Sequence, residues 1–101
     1  MSLVAAPALG RSVDKSVVAA ALRRSPITAV VRTHDRAEAA RQARAFVDGG
    51  LELIEITFTV PEATTLVREL LAERAGAGPP FVGMGTVTTK ERAEAAVAAG
   101  A

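Results

Sequence analysis

The chain has 101 residues, 50% of them hydrophobic and 23% charged, which is enough for one small globular domain with a core of its own. A net charge of +1, aromatics at 3% with no Trp or Tyr, and no Cys speak against a nucleic-acid surface, disulfides, a thiolate metal site and a Cys nucleophile. No apolar run approaches the roughly 20 residues of a membrane helix, and Met1 to Gly10 lacks the basic start of a signal peptide, so the chain reads as cytoplasmic, with neither membrane nor nucleic acid as partner.

Residues 1–11, rich in Ala, Pro and Gly, read as a flexible tail ahead of a domain over 12–101. Ser12 to Arg24 has Val13, Val17, Val18 and Leu22 near helical spacing and predicts a first helix, closed by Pro26. Ile27 to Arg32 predicts a short strand with Ile27, Ala29 and Val31 on one side and Thr28, Val30 and Arg32 on the other. Asp35 to Asp48 predicts a second helix. Asp35 and Glu38 have the spacing of a capping box, Ala39, Ala43, Phe46 and Val47 form the stripe, and Gly49-Gly50 stops it.

The next stretch, Gly49 to Glu62, organises the rest. It has the β-branched content of a buried strand but a carboxylate in its middle. Alternation puts Leu53, Glu55, Thr57 and Thr59 on one face and Ile54, Ile56 and Phe58 on the other. Burying an ionised carboxylate is costly unless it is paired or its pKa moves, so Glu55 is either a satisfied structural acid or a catalytic one. Thr59 as cap, Pro61 in the first turn and Glu62 three residues after the cap predict a third helix. Its face is Leu66, Val67, Leu70 and Leu71, and Gly76 to Pro80 breaks it. Phe81 to Val87 predicts a third strand, in which Gly83 and Gly85 mark close approach of backbone to something. Thr88-Thr89-Lys90-Glu91 repeats the capping box, and a last helix runs from Thr89 to Ala99 and ends at Gly100.

A helix followed by three strand–helix units implies an α/β fold with a parallel sheet. The word Arg36-Ala37-Glu38-Ala39-Ala40 returns as Arg92-Ala93-Glu94-Ala95-Ala96, weak support for repeated βα units. Three parallel strands leave open edges and cannot cover both faces. The chain is therefore expected to be part of a longer one, or to complete itself with another copy.

Arg32, Thr57 with Glu55 below it, and Thr86 fall at the C-terminal ends of successive strands, where βα barrels carry their active sites. The planar fork of an Arg there suits a carboxylate or phosphate; the plainer reading is a strand-end Arg pointing into water. Thr57 and Thr86 are equally ordinary strand residues. Gly83-Met84-Gly85-Thr86 lacks the spacing and the Lys of a P-loop. His34, the single histidine, sits on a polar loop with no partners for a metal. Lys15 and Lys90 lie in or beside amphipathic helices, where a Lys is usually a solvated charge.

The three strand segments, Ile27 to Arg32, Gly49 to Pro61 and Val82 to Val87, closely resemble the first half of the 2-keto-3-deoxy-6-phosphogluconate aldolases, which overlap with the 4-hydroxy-2-oxoglutarate aldolases. The words Ile54-Glu55-Ile56-Thr57 and Gly83-Met84-Gly85-Thr86, in that order and separation, carry the resemblance, which runs from about Pro26 to Ala101. It implies a (β/α)8 barrel, usually a homotrimer. It also implies a lyase of carbohydrate metabolism that uses no metal and no cofactor and acts on a small 2-keto acid. A lysine forms a Schiff base with pyruvate and a glutamate shuttles protons. Residue by residue, Glu55 becomes the general acid/base, Thr86 a ligand near the pyruvate carboxylate, and Arg32 a strand-end arginine near the substrate. Thr57, Thr59 and Gly85 complete the expected substrate-binding set. Thr59 departs from the family, many members of which carry Arg there. Desolvation on a barrel wall would raise a carboxyl pKa toward the working range of a proton shuttle.

In the family the Schiff-base lysine comes from later strands, and neither Lys15 nor Lys90 matches it. The expectation is the N-terminal half of an enzyme of roughly 200 residues, inactive by itself. Two alternatives stay open: an inactive half-barrel that self-associates, and another βα-barrel sugar-phosphate epimerase or isomerase that uses Glu55 without a Schiff base.

Overall fold

The structure, a computed structural model, describes residues 14–74 and 78–101. The expected tail, the first helix's start at Ser12 and Val13, and Gly76-Ala77 of the third break lie outside these residues. Among the described residues the elements are α1 (Lys15–Arg24), β1 (Thr28–Val31), α2 (Arg36–Asp48), β2 (Leu53–Thr57), α3 (Ala63–Glu73), β3 (Phe81–Gly85) and α4 (Lys90–Ala99). The strands form one parallel sheet in the order β1-β2-β3. This is the alternating α/β arrangement that the pattern predicts, with each strand shorter than expected. Ile27 and Arg32 fall outside β1, Phe58 and Thr59 outside β2, and Thr86 and Val87 outside β3.

Three helices begin where a short polar side chain satisfies an orphan N–H. Asp14 accepts from the Ser16 N–H, Asp35 from that of Glu38, and Thr89 from that of Arg92. After α2 the chain turns at Gly50, with φ 98°, and after α4 at Gly100, with φ 101°, conformations glycine adopts without penalty.

The third helix departs from expectation. Thr59 is not its cap, and Pro61 lies before its first turn. The helix starts at Ala63, and Glu62 stands at the cap position with φ 55° and makes no side-chain cap bond. The cause is local. The Val60 N–H donates to the Thr57 carbonyl, which turns the chain as soon as β2 ends, and the Thr59 hydroxyl is engaged with that of Thr57.

One face of the sheet carries Ala29, Val31, Ile54, Ile56 and Val82 into the core, against Ala39 and Ala43 of α2 and Leu66, Val67 and Leu70 of α3. Alanine at the contact lets α2 lie close to the strands. Phe46, expected in this stripe, is exposed at 38%, and Ala40 is buried instead. Helix α1 also differs, because it does not join this layer. Val17 and Leu22 stay exposed and only Ala21 is buried. Val18, Ala19 and Leu22 instead line a cavity of about 510 Å³ against Leu53 and Phe81 on the opposite face of the sheet.

A seam of ion pairs ties α2 to α3: Arg36 to Glu69 at 2.7 Å, Arg44 to Glu73 at 2.6 Å, and Arg74 to Asp48. Arg36 Nε lies 3.1 Å from a Glu62 oxygen, but its N–H does not point there and stays without a hydrogen bond. The hydrogen bond from Arg44 holds the Glu73 carboxyl below its ordinary value. Its stabilisation is therefore complete above the ordinary carboxylate range and is lost as the pH falls through that lowered value.

These contacts set a contrast in thermal or denaturant unfolding. Ile56→Ala, at a fully buried site, is expected to cost about 2–5 kcal/mol. Glu73→Gln, at a solvent-screened pair, is expected to cost at most about 1 kcal/mol at pH 7 and nothing in strong acid. Equal costs at the two sites would contradict this account of the core.

Candidate active site

The inner face of the sheet, away from α2 and α3, is built in rungs by the strand register. Thr28, Leu53 and Phe81 share the first rung, Val30, Glu55 and Gly83 the second, and Thr57 and Gly85 the third. The first rung, in which Leu53 and Phe81 stand beside Thr28, lies against α1. Chemistry-bearing groups begin at the second rung and continue past the C-terminal ends of the strands.

Glu55 is half-buried in the middle of β2. Its carboxylate does not stay over its register partner, Gly83. It reaches one rung toward the C-terminal end and lies against Gly85. A Cβ built on Gly85 would come 2.8 Å from the carboxyl carbon and closer still to Oε2. No such crowding exists at Gly83, where a Cβ would meet nothing within 4 Å. Of the two glycines expected to mark close approach, Gly85 admits the carboxylate and Gly83 leaves the cavity open below it. No hydrogen bond or ion pair reaches the Glu55 carboxylate from the other described residues.

Beyond Gly85 the chain leaves the strand through Thr86, whose φ of 58° is left-handed. That conformation is uncommon for a β-branched residue and costs on the order of 1–3 kcal/mol. It is held by its neighbours. Arg32, one residue past the end of β1, donates from Nη1 to the Thr86 hydroxyl at 3.3 Å. Arg92 of α4 donates from Nη1 to the Thr86 carbonyl at 3.1 Å and to the Thr88 hydroxyl at 3.1 Å. Its guanidinium also lies 5.2 Å from the centre of the Phe58 ring, within range of a cation–π contact.

Thr57 and Thr59 form a separate pair. Thr57 is fully buried; its hydroxyl bonds to Thr59 at 2.6 Å and donates to the Val31 carbonyl at 3.4 Å. Thr57 therefore ties the ends of β1 and β2 together, and Thr59, half-buried, stands above it. The structure thus brings Glu55, Gly85, Thr86 and Arg32 to one contiguous place, with the threonine pair alongside. His34, Lys15 and Lys90 are all exposed, and Lys15 lies at the far, α1 end of the cavity.

Sequence reasoning missed Arg92 and Phe58 as parts of this place. Strand alternation places Phe58 with Ile54 and Ile56, and Arg92 stands out in the sequence only as the first residue of the repeated Arg-Ala-Glu-Ala-Ala word. The Arg92–Phe58 contact joins α4 to the segment just after β2, and the Arg92–Thr86 bond depends on the left-handed turn at Thr86, neither of which the sequence pattern announces.

Such an arrangement offers a carboxylate that no other described residue engages, able to move a proton, and at the end of the adjoining strand a guanidinium and a hydroxyl able to hold an anion. A family model described as KDPG and KHG aldolase matches residues 18–101. No curated protein matches the chain.

Gly85→Ala is expected to push the Glu55 side chain out of its place, while Gly83→Ala leaves it undisturbed and is neutral or slightly stabilising. Crystal structures of the two variants, or carboxyl carbon chemical shifts of Glu55, check this. An unmoved carboxylate in Gly85→Ala would refute the packing argument.

Proposed function

Because the chain belongs to the KDPG and KHG aldolase family, we propose that it carries the proton-transfer and carboxylate-binding half of a Schiff-base aldolase site. The family makes it an aldolase, a lyase of carbohydrate metabolism acting on a small molecule. The finer reading is the retro-aldol cleavage of 2-keto-3-deoxy-6-phosphogluconate, of 4-hydroxy-2-oxoglutarate, or of both, to pyruvate and an aldehyde. In it, residues 12–101 form the N-terminal part of a (β/α)8 barrel domain, within the homotrimer that the resemblance implies.

The observation that carries this reading is that the Glu55 carboxylate, which no other described residue engages, lies against Gly85, the residue before the Thr86 that Arg32 holds, at the C-terminal end of a parallel sheet. The substrate keto group condenses with a lysine, releasing water and leaving an iminium. Glu55 takes the proton from the C4 hydroxyl. The C3–C4 bond breaks, its electron pair flows into the iminium to give an enamine, and the aldehyde leaves. Glu55 then returns its proton to C3, and water releases pyruvate from the lysine. The iminium is the electron sink, so the proton shuttle needs one carboxylic group in two protonation states. Arg32 and the Thr86 hydroxyl hold the keto-acid carboxylate, the guanidinium supplying two donors in one plane. Thr59, half-buried, lines the wall next to them, and the fully buried Thr57 holds it from behind rather than meeting substrate.

The nucleophile is proposed to lie outside residues 1–101. Lys15 and Lys90 are each the first residue of a helix and exposed, and Lys15 lies at the α1 end of the cavity. Pyruvate with borohydride, read by intact mass, tests this. No adduct is expected on residues 1–101, and one pyruvyl adduct is expected on the longest product of the gene. An adduct on Lys15 or Lys90 would overturn the assignment. Absence of an adduct from both proteins would reject the Schiff-base mechanism. In the active protein, Glu55→Gln is expected to slow cleavage by about 10²–10⁴-fold with the fold retained. Arg32→Ala is expected to act chiefly on KM.

A further inference from the structure

Arg92 is anchored at both ends. Its own N–H is bonded to the Thr89 cap at 3.0 Å, which fixes the backbone from which the side chain springs. The guanidinium then meets three groups from two segments: the Thr86 carbonyl, the Thr88 hydroxyl and the face of Phe58. The Phe58 N–H in turn donates to the Gly85 carbonyl at 3.0 Å, so Phe58 and Gly85 are themselves tied. Arg92 therefore closes a loop of contacts around the point where β3 ends and the chain turns left-handed.

Thr86 sits between two guanidiniums. Arg32 holds its hydroxyl and Arg92 its carbonyl. A β-branched residue with φ of 58° would relax to an extended conformation if one side were released. That rotation would carry the hydroxyl away from Arg32. We infer that Arg92 is a positioning residue. Its guanidinium, braced on Phe58, clamps the Thr86 carbonyl in the left-handed turn, and the clamp aims the Thr86 hydroxyl at Arg32 and so builds the keto-acid carboxylate subsite. The catalytic half of this statement rests on the aldolase reading above; the conformational half does not.

The clamp makes no contact with reacting atoms. Its loss weakens binding of the carboxylate in ground and transition states alike, which appears in KM and leaves kcat nearly unchanged. A merely structural Arg on the α4 surface would move neither Thr86 nor KM. Lys in its place keeps a cation over Phe58 and one donor for the carbonyl, and should recover part of the effect.

The experiment uses the longest product of the gene, with Arg92→Ala, Arg92→Lys, Thr86→Ala and the double variant Arg92→Ala/Thr86→Ala. The first readout is the pair of Cα and Cβ chemical shifts of Thr86, which report φ and are independent of activity. In Arg92→Ala they are expected to leave left-handed values, and in Arg92→Lys to return most of the way. The second readout is steady-state cleavage of the keto acid. Arg92→Ala is expected to raise KM about tenfold with kcat within about twofold, and the double variant to match Thr86→Ala, since the clamp acts only through Thr86. If Arg92→Ala fails to fold, Arg92→Gln, which keeps the stem and one donor, is read in the same way. Thr86 shifts that stay left-handed without the guanidinium overturn the inference. So does a KM effect that simply adds to that of Thr86→Ala. A parent protein that cleaves no keto acid rejects the aldolase reading, and the shifts alone then decide the clamp.

Discussion

The Glu55 carboxylate lies against the backbone of Gly85, and nothing larger than a hydrogen fits between them. This contact joins a charged group on β2 to the end of β3. It requires the parallel register that sets Thr57 beside Gly85, because a slip of one residue would turn every inner side chain to the helix-covered face. It also requires an open cavity below, which Gly83 provides. The rest of the inner face follows. The rung of Thr28, Leu53 and Phe81 at the strand starts meets α1, and Arg32 and Thr86 gather at the strand ends.

Past that contact the chain turns through Thr86. An extended Thr86 would continue the strand, whereas the left-handed turn exposes its carbonyl and hydroxyl to different partners. Arg32 comes from β1 and Arg92 from α4. The local backbone cost is offset by charge-assisted hydrogen bonds, each worth more than a neutral one. Conformation and charge are thus coupled at one residue, held between a strand-end arginine and an arginine that rests on Phe58.

The other face has a plainer logic. Alanines on α2 and branched side chains on β1 and β2 pack with no Trp or Tyr, and the ion pairs of the α2–α3 seam lie at the solvent edge of that core. Burial supplies the stability there, and the charges add little per pair. No helix among the described residues is long and apolar enough to cross a membrane.

The order of elements, the parallel sheet and the cap at Asp35 were legible in the sequence, because these depend on spacing and short-range hydrogen bonds; the last helix is capped one residue later than its capping box implies, by Thr89, while the Thr88 hydroxyl accepts from the Arg92 guanidinium. That Arg32, Glu55 and Thr86 fall toward the strand ends was legible from strand alternation; their grouping with Gly85 as a candidate site rested on the family resemblance that two words at a fixed separation carry. The true start of α3 was not, because the Thr57–Thr59 contact and the turn at Val60 compete with the capping pattern and win. The exposure of Phe46 and the separate seat of α1 were not legible either, since amphipathic spacing gives a face but not the neighbour it meets. Tertiary structure alone decided that Gly85 serves the carboxylate while Gly83 opens a cavity, and that Arg92 reaches Thr86 across Phe58. The Glu55–Gly85 and Phe58–Arg92 contacts join segments far apart in the chain, and the Arg92–Thr86 bond, though local, depends on the left-handed turn at Thr86. Their distances depend on how the strands stack, and no local propensity encodes that.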